Sequence, residues 1–425
     1  MGISFIIPYC GERKYIQECL ESLENQTCKE FEALVVCDHC DEEDKRAVTE
    51  LSLSFPVTLL DTGEKTGVAA ARNIGLAASR QEFVFFMDCD DFLRAGAVES
   101  MLAAARESDI VYVRRYYSWI GYRGFLEMEK LPDDSTEKHT YINTSRIERE
   151  DKTFPLLPDN ATSWETVFYH LLKSVIRFTF LSALNLLYRR EMLVQNAVTF
   201  DEQFIYQADM GFLAKAFCCT ERVAELTEEP YYVKRRRNDP INLPSLAQRK
   251  DATNKAMEVM RAYLYVKEVI RGKNEFIESC FDCKFVKDYV RQTIAAYMKE
   301  KSSKKVKELR SLADECLPLI SKEALKLARP YTRRSVNYSL THTTEKIAAR
   351  ARRHSAFQTF KRTIGRKRKM IPLIYRKLLL RFPIKEKMIL FETFFGRNYS
   401  DSPKYIFEYI SQQYSGEYEC IWVLN

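Results

Sequence analysis

Short apolar runs alternate with amphipathic segments through the first 113 residues. Between the runs, apolar side chains recur at helical spacing, as at Ile16, Leu20 and Leu23, and Asp41 begins an acidic stretch that suits the first turn of a helix. Repeated strand–helix units predict an α/β fold with a mostly parallel sheet and helices on both faces. The predicted strands are Ile3–Ile7, Ala33–Cys37, Val57–Leu60, Phe83–Met87 and Ile110–Val113, and further helices are predicted at Gly67–Ala78 and Ala95–Arg106.

The pattern changes beyond this first module. Mixed aromatic and polar runs occupy residues 114–242, and apolar positions then recur at helical spacing from Leu246 to Ala328. A strand, a helix and a strand are predicted again at Met388–Phe391, Tyr405–Tyr414 and Glu419–Leu424. The expected organisation is a first domain at 1–242 with halves 1–113 and 114–242, a helical region at 243–345, a linker at 346–387 and the start of a second α/β domain at 388–425.

The net charge of +7 comes from one segment of the chain. Residues 346–387 contain fifteen Lys or Arg and one acid, Glu386, whereas residues 1–345 carry a net charge of −4. Apolar side chains such as Phe357 and Phe360 are interleaved with these cations, which favours a helix that binds an anionic membrane surface or an anionic polymer. A solvated helical linker is the alternative. Nucleic acid is not an expected partner, because no recognised nucleic-acid-binding fold accompanies the charge.

The twelve cysteines and the absence of an export signal predict a cytoplasmic protein with free thiols. Peripheral binding to the inner face of the cell membrane is expected if the basic segment contacts lipid, since no run is long and apolar enough to span the bilayer. The pairs Cys37/Cys40 and Cys280/Cys283 have zinc-ligand spacing, so a four-thiolate zinc site is an alternative use of these side chains.

Three carboxylates, Asp88, Asp90 and Asp91, directly follow the apolar run 83–87. Unpaired charges are too costly to bury, so we expect these groups to face solvent or a cation at the carboxyl end of the strand. Ligands bind at that edge in open α/β sheets. Oxygen ligands in an Asp-x-Asp pattern favour Mg²⁺ or Mn²⁺ holding a phosphate, and a solvated acidic turn is the alternative.

Other polar side chains of the first module fall at the same predicted edge. Glu12 lies just beyond the first strand, Asp38 ends the second, and Arg72 belongs to the third strand–helix unit. A carboxylate for a base edge, an arginine and a metal-binding pair are the parts needed to hold a nucleoside diphosphate. The sequence therefore predicts a nucleotide-binding half at 1–113.

Four blocks, at 6–9, 35–38, 71–75 and 86–91, together resemble the family 2 glycosyltransferases. These are inverting enzymes with the A-type, nucleotide-diphospho-sugar transferase fold. The resemblance implies that Asp38 accepts from the uracil imide of a UDP-sugar and that Arg72 neutralises the nucleotide end of the pocket. It implies that Asp88 contacts the ribose or donor sugar and that Asp90, with Asp88, ligates the metal. The remaining residues implied in nucleotide-sugar binding are Pro8, Tyr9, Glu12 and Asn73.

A later block, Ala208-Asp209, resembles the Glu-Asp pair on the acceptor side of these enzymes, which makes 114–242 the implied acceptor half and Asp209 the implied general base. A helix N-cap is the alternative role for this aspartate. Residues 231–237 resemble the basic loop that can close over the phosphates, and an exposed basic turn is the alternative.

Residues 388–405 and 417–424 resemble the opening of the CDP-glycerol glycerophosphotransferase family, the polymerases of teichoic acids. The catalytic histidines of that family would follow later in such a domain. We therefore expect that this chain does not transfer glycerol phosphate by itself and that it is an N-terminal part of a bifunctional enzyme.

The combined prediction is a bacterial, metal-dependent inverting glycosyltransferase. It would move a sugar, expected to be a hexose, from a UDP-sugar to a hydroxyl of a teichoic-acid-like or lipid-linked acceptor. The alternative is a catalytically weak, transferase-like scaffold that positions a glycerophosphate polymerase module. Ala208 and the altered pair His39-Cys40 favour the scaffold, whereas retention of Asp88, Asp90 and Asp209 favours the enzyme.

Overall fold

The apolar runs of the first module form strands in the computed structural model, which describes residues 1–133, 135, 138, 142–144, 155–173, 182–226, 229, 231–237, 251–364, 385–393, 399 and 401–423. The chain divides into two units, residues 1–351 and 352–425. No helix in these described ranges combines the length and the apolar character needed to cross a membrane.

Strands of the first unit form two sheets. They are β1 (Ile3–Tyr9), β2 (Phe31–Cys37), β3 (Val57–Asp61), β4 (Phe83–Phe86), β5 (Phe92–Leu93), β6 (Ile110–Val113), β7 (Arg115–Ser118), β8 (Ile142–Thr144), β9 (Leu186–Arg189), β10 (Val223–Leu226) and β11 (Tyr232–Arg235). The larger sheet has the order β10-β6-β9-β4-β1-β2-β3, and only β9 runs antiparallel to its neighbours. The predicted α/β fold with a mostly parallel sheet is confirmed.

The smaller sheet has the order β5-β11-β7-β8. Its strand β11 pairs parallel with β7 and antiparallel with β5, the two-residue strand that follows the acidic cluster. This pairing holds the basic segment 232–237 beside Asp88, Asp90 and Asp91. A strand of two residues is too short to show the alternation of apolar and polar side chains that predicts a strand. The smaller sheet was therefore not predicted.

Helices connect the strands and then form a region of their own. Up to residue 364 they are α1 (Arg13–Glu24), α2 (Glu42–Thr49), α3 (Val68–Ala78), α4 (Ala97–Ala104), α5 (Tyr122–Glu129), α6 (Ser163–Lys173), α7 (Arg190–Gln195), α8 (Ala208–Cys218), α9 (Ala252–Ile270), α10 (Glu275–Asp288), α11 (Ile294–Lys299), α12 (Ser303–Cys316), α13 (Lys322–Leu327), α14 (Pro330–Thr341) and α15 (Thr344–Ile364). A π-helical turn at Tyr289–Thr293 lies between α10 and α11, and a 3₁₀ turn at Leu317–Leu319 lies between α12 and α13. The helical region predicted after the first domain is confirmed in its described part, where α9 packs against both α8 and α12.

Small residues let α3 lie close to the sheet. A methyl group at Gly75 would meet Ile6 Cγ2 at 2.3 Å, so only glycine fits where this helix crosses β1. The alanines at 69–71 are buried on the same helix. This close packing fixes the position of Arg72 at the carboxyl edge of the strands.

The second unit contains a strand, a helix and a strand, as predicted. β12 (Met388–Phe391) and β13 (Glu419–Trp422) pair in parallel, and α16 (Asp401–Gln413) lies between them in the chain. In the basic segment, residues 346–364 are helical, and residues 365–384 lie outside the described ranges. The boundaries expected for the linker and for the second domain therefore stay predictions.

A buried carboxylate joins three strands at one end of the larger sheet. Asp109 precedes β6 and accepts hydrogen bonds from Arg189 Nε at 2.9 Å, from Arg222 Nη2 at 2.6 Å and from Thr220 Oγ1 at 2.6 Å. Arg189 ends β9, and residues 220–222 lead into β10. Burial alone would raise the pKa of Asp109, but these donors outweigh burial and the pKa is lowered.

Replacing Asp109 with Asn should lower the free energy of unfolding by about 2–3 kcal/mol near neutral pH, because buried donors lose their charged acceptor. A carboxylate with a lowered pKa stabilises the fold above its unfolded-state pKa, and this stabilisation is lost as the pH falls through the folded-state pKa. The difference in the free energy of unfolding between wild type and variant should therefore shrink only below about pH 4. Urea unfolding across pH measures it, with the exposed Glu107→Gln as a control; a constant difference down to the lowest pH would contradict the ion-pair explanation.

Candidate active site

The acidic cluster lies at the carboxyl end of β4, as the sequence predicts. One carboxylate oxygen from each of Asp88, Asp90 and Asp91 lies within 4.8 Å of the others, and within the described ranges this is the only group of three or more His, Cys, Asp or Glu side chains that could share a metal ion. Hard carboxylate oxygens at this separation suit Mg²⁺ or Mn²⁺. The four-thiolate zinc alternative is not formed, and Cys280 and Cys283 are buried on α10.

Cations of the segment 232–237 pair with these carboxylates. Lys234 Nζ lies 3.2 Å from Asp88 Oδ2 and 3.4 Å from Asp91 Oδ2. Arg237 Nε lies 2.5 Å from Asp90 Oδ2, and its Nη1 lies 3.1 Å from Glu12 Oε1. The basic segment therefore lies against the acids, and the exposed-turn alternative is wrong for its described part.

A buried arginine joins the two halves of the site. Arg72 is 4% exposed, and its Nη2 donates to Asp88 Oδ1 at 3.0 Å while its Nη1 donates to Asp209 Oδ1 at 2.7 Å. The guanidinium also lies over the ring of Phe200, 5.2 Å from its centroid. One side chain of α3 thus places Asp209 on the same edge of the sheet as Asp88.

Asp209 lies in the first turn of α8. The N-cap residue is Gln207, and Asp209 Oδ2 accepts from the backbone N–H of Ala183 at 3.0 Å. Because its two oxygens bond Arg72 and Ala183, the N-cap alternative for Asp209 is wrong. The side chain keeps 20% of its surface exposed, so one side of this carboxylate faces solvent.

Asp38 directly follows β2 and supports the start of α3. Its Oδ2 accepts from the backbone N–H of Gly67 at 2.9 Å, and its Oδ1 lies 3.0 Å from His39 Nδ1. Gly67 has a φ of +94°, a conformation that favours glycine and lets its N–H point at Asp38. The carboxylate is partly exposed beside this turn, at the edge where the sequence predicts the base pocket.

Two other predicted pocket residues are used in packing. Tyr9 is 1% exposed at the end of β1, after Pro8, and its buried hydroxyl has no hydrogen-bond partner among the residues that the structure describes. Asn73 holds the acceptor half to α3, since its Nδ2 donates to the Phe200 carbonyl at 2.9 Å and its Oδ1 accepts from the Phe200 N–H at 2.9 Å. Tyr9, through packing, and Asn73, through hydrogen bonds, therefore support the residues around the site.

Burial and nearby cations have opposite effects on the two innermost acids. Burial alone would raise the pKa of Asp88, but Lys234 and Arg72 outweigh it and hold the pKa below its usual value. For Asp91 burial prevails and raises the pKa to about 7. The pKa of Asp88 is thus set mainly by the neighbouring cations, and the pKa of Asp91 mainly by burial.

Asp91 anchors the smaller sheet to the acidic cluster, a role that sequence reasoning missed. It accepts from the Tyr232 hydroxyl and from the backbone N–H of Arg235, the latter at 2.8 Å. Its side chain is fully buried. The available signal was its position between the Asp-x-Asp pattern and the apolar pair Phe92-Leu93, which predicts an inward-facing acid.

Comparison with known proteins identifies two family matches. Residues 4–181 match the family described as Glycosyl transferase family 2. Residues 374–425 match the family described as CDP-Glycerol:Poly(glycerophosphate) glycerophosphotransferase. Both resemblances predicted from the sequence are confirmed.

Two curated relatives come from staphylococci. A teichoic acid poly(glycerol phosphate) polymerase of Staphylococcus epidermidis is 22% identical over 99% of this chain and 53% of its own length. The poly(ribitol-phosphate) beta-N-acetylglucosaminyltransferase TarS of Staphylococcus aureus is 25% identical over 56% of this chain and 36% of its own length. The chain thus spans about half the length, or less, of these relatives.

A solved structure shares the fold. The crystal structure of S. aureus TarS 1-349 in complex with UDP-GlcNAc superposes with a TM-score of 0.57 and 18% sequence identity, covering 83% of this chain and 92% of that chain. At this identity the likeness shows the fold, and the predicted A-type transferase fold is confirmed.

Proposed function

We propose that the chain transfers a sugar from a UDP-sugar to a hydroxyl of a teichoic-acid-like or lipid-linked cell-envelope acceptor, because residues 4–181 match the family described as Glycosyl transferase family 2. The observation that carries this proposal is the Arg72 bridge, which holds Asp209 across from the metal-binding candidates Asp88 and Asp90. An acceptor hydroxyl near Asp209 would then face a donor held at the acidic cluster.

The proposed contacts to the donor follow from the chemical type of each side chain. Asp38 would accept from the uracil imide, and Glu12 and the end of β1 would shape the base pocket. Asp90 and Asp88 would hold Mn²⁺ or Mg²⁺, and when bound this ion neutralises charge on the leaving diphosphate. Lys234 and Arg237 pair with the same carboxylates, so these two cations would also lie near the phosphates of a donor held there.

Asp209 is the proposed general base. Its exposed edge would take the proton of an acceptor hydroxyl while that oxygen attacks the anomeric carbon from the face opposite the nucleotide. Attack from that face inverts the configuration at the anomeric carbon. Such proton removal contributes about 100- to 10,000-fold to the rate. Arg72 keeps the carboxylate oriented through its 2.7 Å hydrogen bond.

The relatives support the choice of donor and acceptor. TarS acts on poly(ribitol-phosphate) as a beta-N-acetylglucosaminyltransferase by its name, and its solved structure contains UDP-GlcNAc. The polymerase relative makes a teichoic acid, and residues 374–425 match the glycerophosphotransferase family. An N-acetylhexosamine donor and a polyol-phosphate acceptor are therefore the first pair to test.

A donor screen tests the function. The purified chain is incubated with a panel of UDP-sugars and Mn²⁺, with and without a glycerol-phosphate polymer, and release of UDP is measured. We expect release from at least one UDP-sugar, faster when the polymer is present. If no donor yields UDP in either condition, the non-catalytic scaffold replaces the enzyme as the better explanation.

We also propose that the basic segment 346–387 binds an anionic membrane surface at the cytoplasmic face. In its described helical part, Phe357 and Phe360 are 60% and 63% exposed beside the cations. Each basic side chain near such a surface contributes about 1 kcal/mol.

Vesicle co-sedimentation should show partition to phosphatidylglycerol vesicles that salt reverses. The double substitution Arg352→Glu with Arg353→Glu should weaken this partition, whereas Lys304→Glu with Lys305→Glu, on exposed positions of the helical region, should not. Equal partition of the wild type to neutral and anionic vesicles would reject membrane binding.

A further inference from the structure

We propose that Glu258, in the helical region outside the matched transferase domain, is a positioning residue for Asp209; this inference rests on the proposed function. Glu258 lies on α9 and is 6% exposed. Its Oε2 accepts from the backbone N–H of Tyr206 at 2.6 Å and of Gln207 at 3.2 Å, and its Oε1 accepts from the N–H of Ile205 at 3.2 Å. One buried carboxylate therefore binds three consecutive amides.

These amides lie immediately before α8, the helix that carries Asp209. The N-cap side chain, Gln207, makes no capping hydrogen bond of its own. The first turn of a helix leaves N–H groups without intrahelical partners and concentrates positive partial charge. The carboxylate of Glu258, from a different helix, instead binds the amide of this N-cap residue and the two amides before it, and its negative charge lies close to the positive end of α8. The start of α8 is thus fixed by the helical region.

Further contacts make this junction rigid. The Tyr206 hydroxyl donates to Asp251 Oδ2 at 3.1 Å, so both ends of the same residue are held by the helical region. On the next turn, a methyl group at Gly211 would meet Tyr265 Cε1 at 2.7 Å, which shows how closely α8 and α9 approach. The backbone of Asp209 lies between these two points of attachment.

A substitution of Glu258 should therefore slow proton removal from the acceptor and should not weaken nucleotide binding. The proposed nucleotide contacts come from residues 8–90 and from Lys234 and Arg237, and the hydrogen bonds of Glu258 given above reach none of these residues. Glu258→Gln keeps the size of the side chain but turns an N–H₂ group toward at least one backbone N–H. A shift of Asp209 by a fraction of an ångström to an ångström lowers the rate by up to about 100-fold.

The test compares Glu258→Gln, Glu258→Asp and a matched control, Glu308→Gln. Glu308 is a partly exposed acid of the same helical region that pairs with Arg261 at 2.6 Å. We expect Glu258→Gln to lower kcat about 10- to 100-fold with nearly unchanged UDP affinity and donor KM. Glu258→Asp, which keeps the charge, should lose less, and Glu308→Gln should behave as wild type.

A second measurement keeps the positioning role separate from the proposed function. Amide hydrogen exchange on the intact protein should be faster at residues 205–209 in Glu258→Gln and unchanged there in Glu308→Gln. Unchanged exchange overturns the proposal whether or not the chain is active. Faster exchange with full kcat, or with equal losses of kcat and UDP affinity, also overturns it. Failure of the wild type to release UDP from any donor would instead remove the proposed function, and exchange alone would then decide whether Glu258 orders this segment.

Discussion

Replacing Asp209 with Asn should lower kcat for sugar transfer by about 100- to 10,000-fold, because an amide cannot accept the proton of the acceptor hydroxyl. The change keeps the shape of the side chain, and the amide oxygen can still accept from Arg72. Affinity for UDP should therefore stay close to that of the wild type. Rates of acceptor-dependent UDP release and a UDP titration measure the two quantities.

A neighbouring acid provides the control for this substitution. Asp201 precedes α8, and its carboxylate accepts from the backbone N–H of Gln203 at 2.9 Å. Asp201→Asn should retain wild-type turnover. If Asp209→Asn retains most of its kcat, or if it loses UDP affinity in proportion to kcat, Asp209 is not the base.

Replacing Asp90 with Asn should have the other large effect, a loss of both turnover and the response of nucleotide binding to metal. Loss of charge stabilisation on the leaving group typically lowers kcat by about 100- to 1,000-fold. We expect Mn²⁺ to strengthen UDP binding to the wild type and to leave binding to Asp90→Asn unchanged. Calorimetric titration of UDP with and without Mn²⁺ measures this difference.

Asp209→Asn is the matched comparison, since it should keep the wild-type response to Mn²⁺ while losing turnover. The two variants then separate donor binding from proton removal. Equal UDP affinity of the wild type with and without Mn²⁺ would remove Asp90 from the metal role. In that case Lys234 and Arg237, which already pair with the acidic cluster, would be the cations that neutralise the diphosphate.

Much of the fold could be predicted because its central strands are short apolar runs. β1, β2, β4 and β6 lie within a residue or two of the predicted runs, and each is almost completely buried. β9 was harder, since it is inserted antiparallel between β4 and β6 from a distant part of the chain. Its position depends on tertiary pairing, which a local pattern does not encode.

The candidate site, like the fold, could be predicted only in part. The topology of parallel strands alone brings Asp38 and Asp88 to one edge, so their positions followed from the order of the strands. The hydrogen-bond partners did not follow, because they depend on side chains far apart in sequence, such as Arg72 with Asp209. The resemblance implies Tyr9 in nucleotide binding, and the local pattern did not show that its side chain is almost completely buried at the end of β1.

The most direct test is a crystal structure of the wild-type chain with a UDP-sugar substrate analogue and Mn²⁺. The proposed geometry predicts the ion on Asp90 and Asp88, the uracil at Asp38, and the anomeric carbon between the diphosphate and the exposed edge of Asp209. A donor bound at this edge with Asp209 on the same side as the leaving diphosphate would contradict inverting transfer by this base. A donor bound away from the acidic cluster would contradict the site itself.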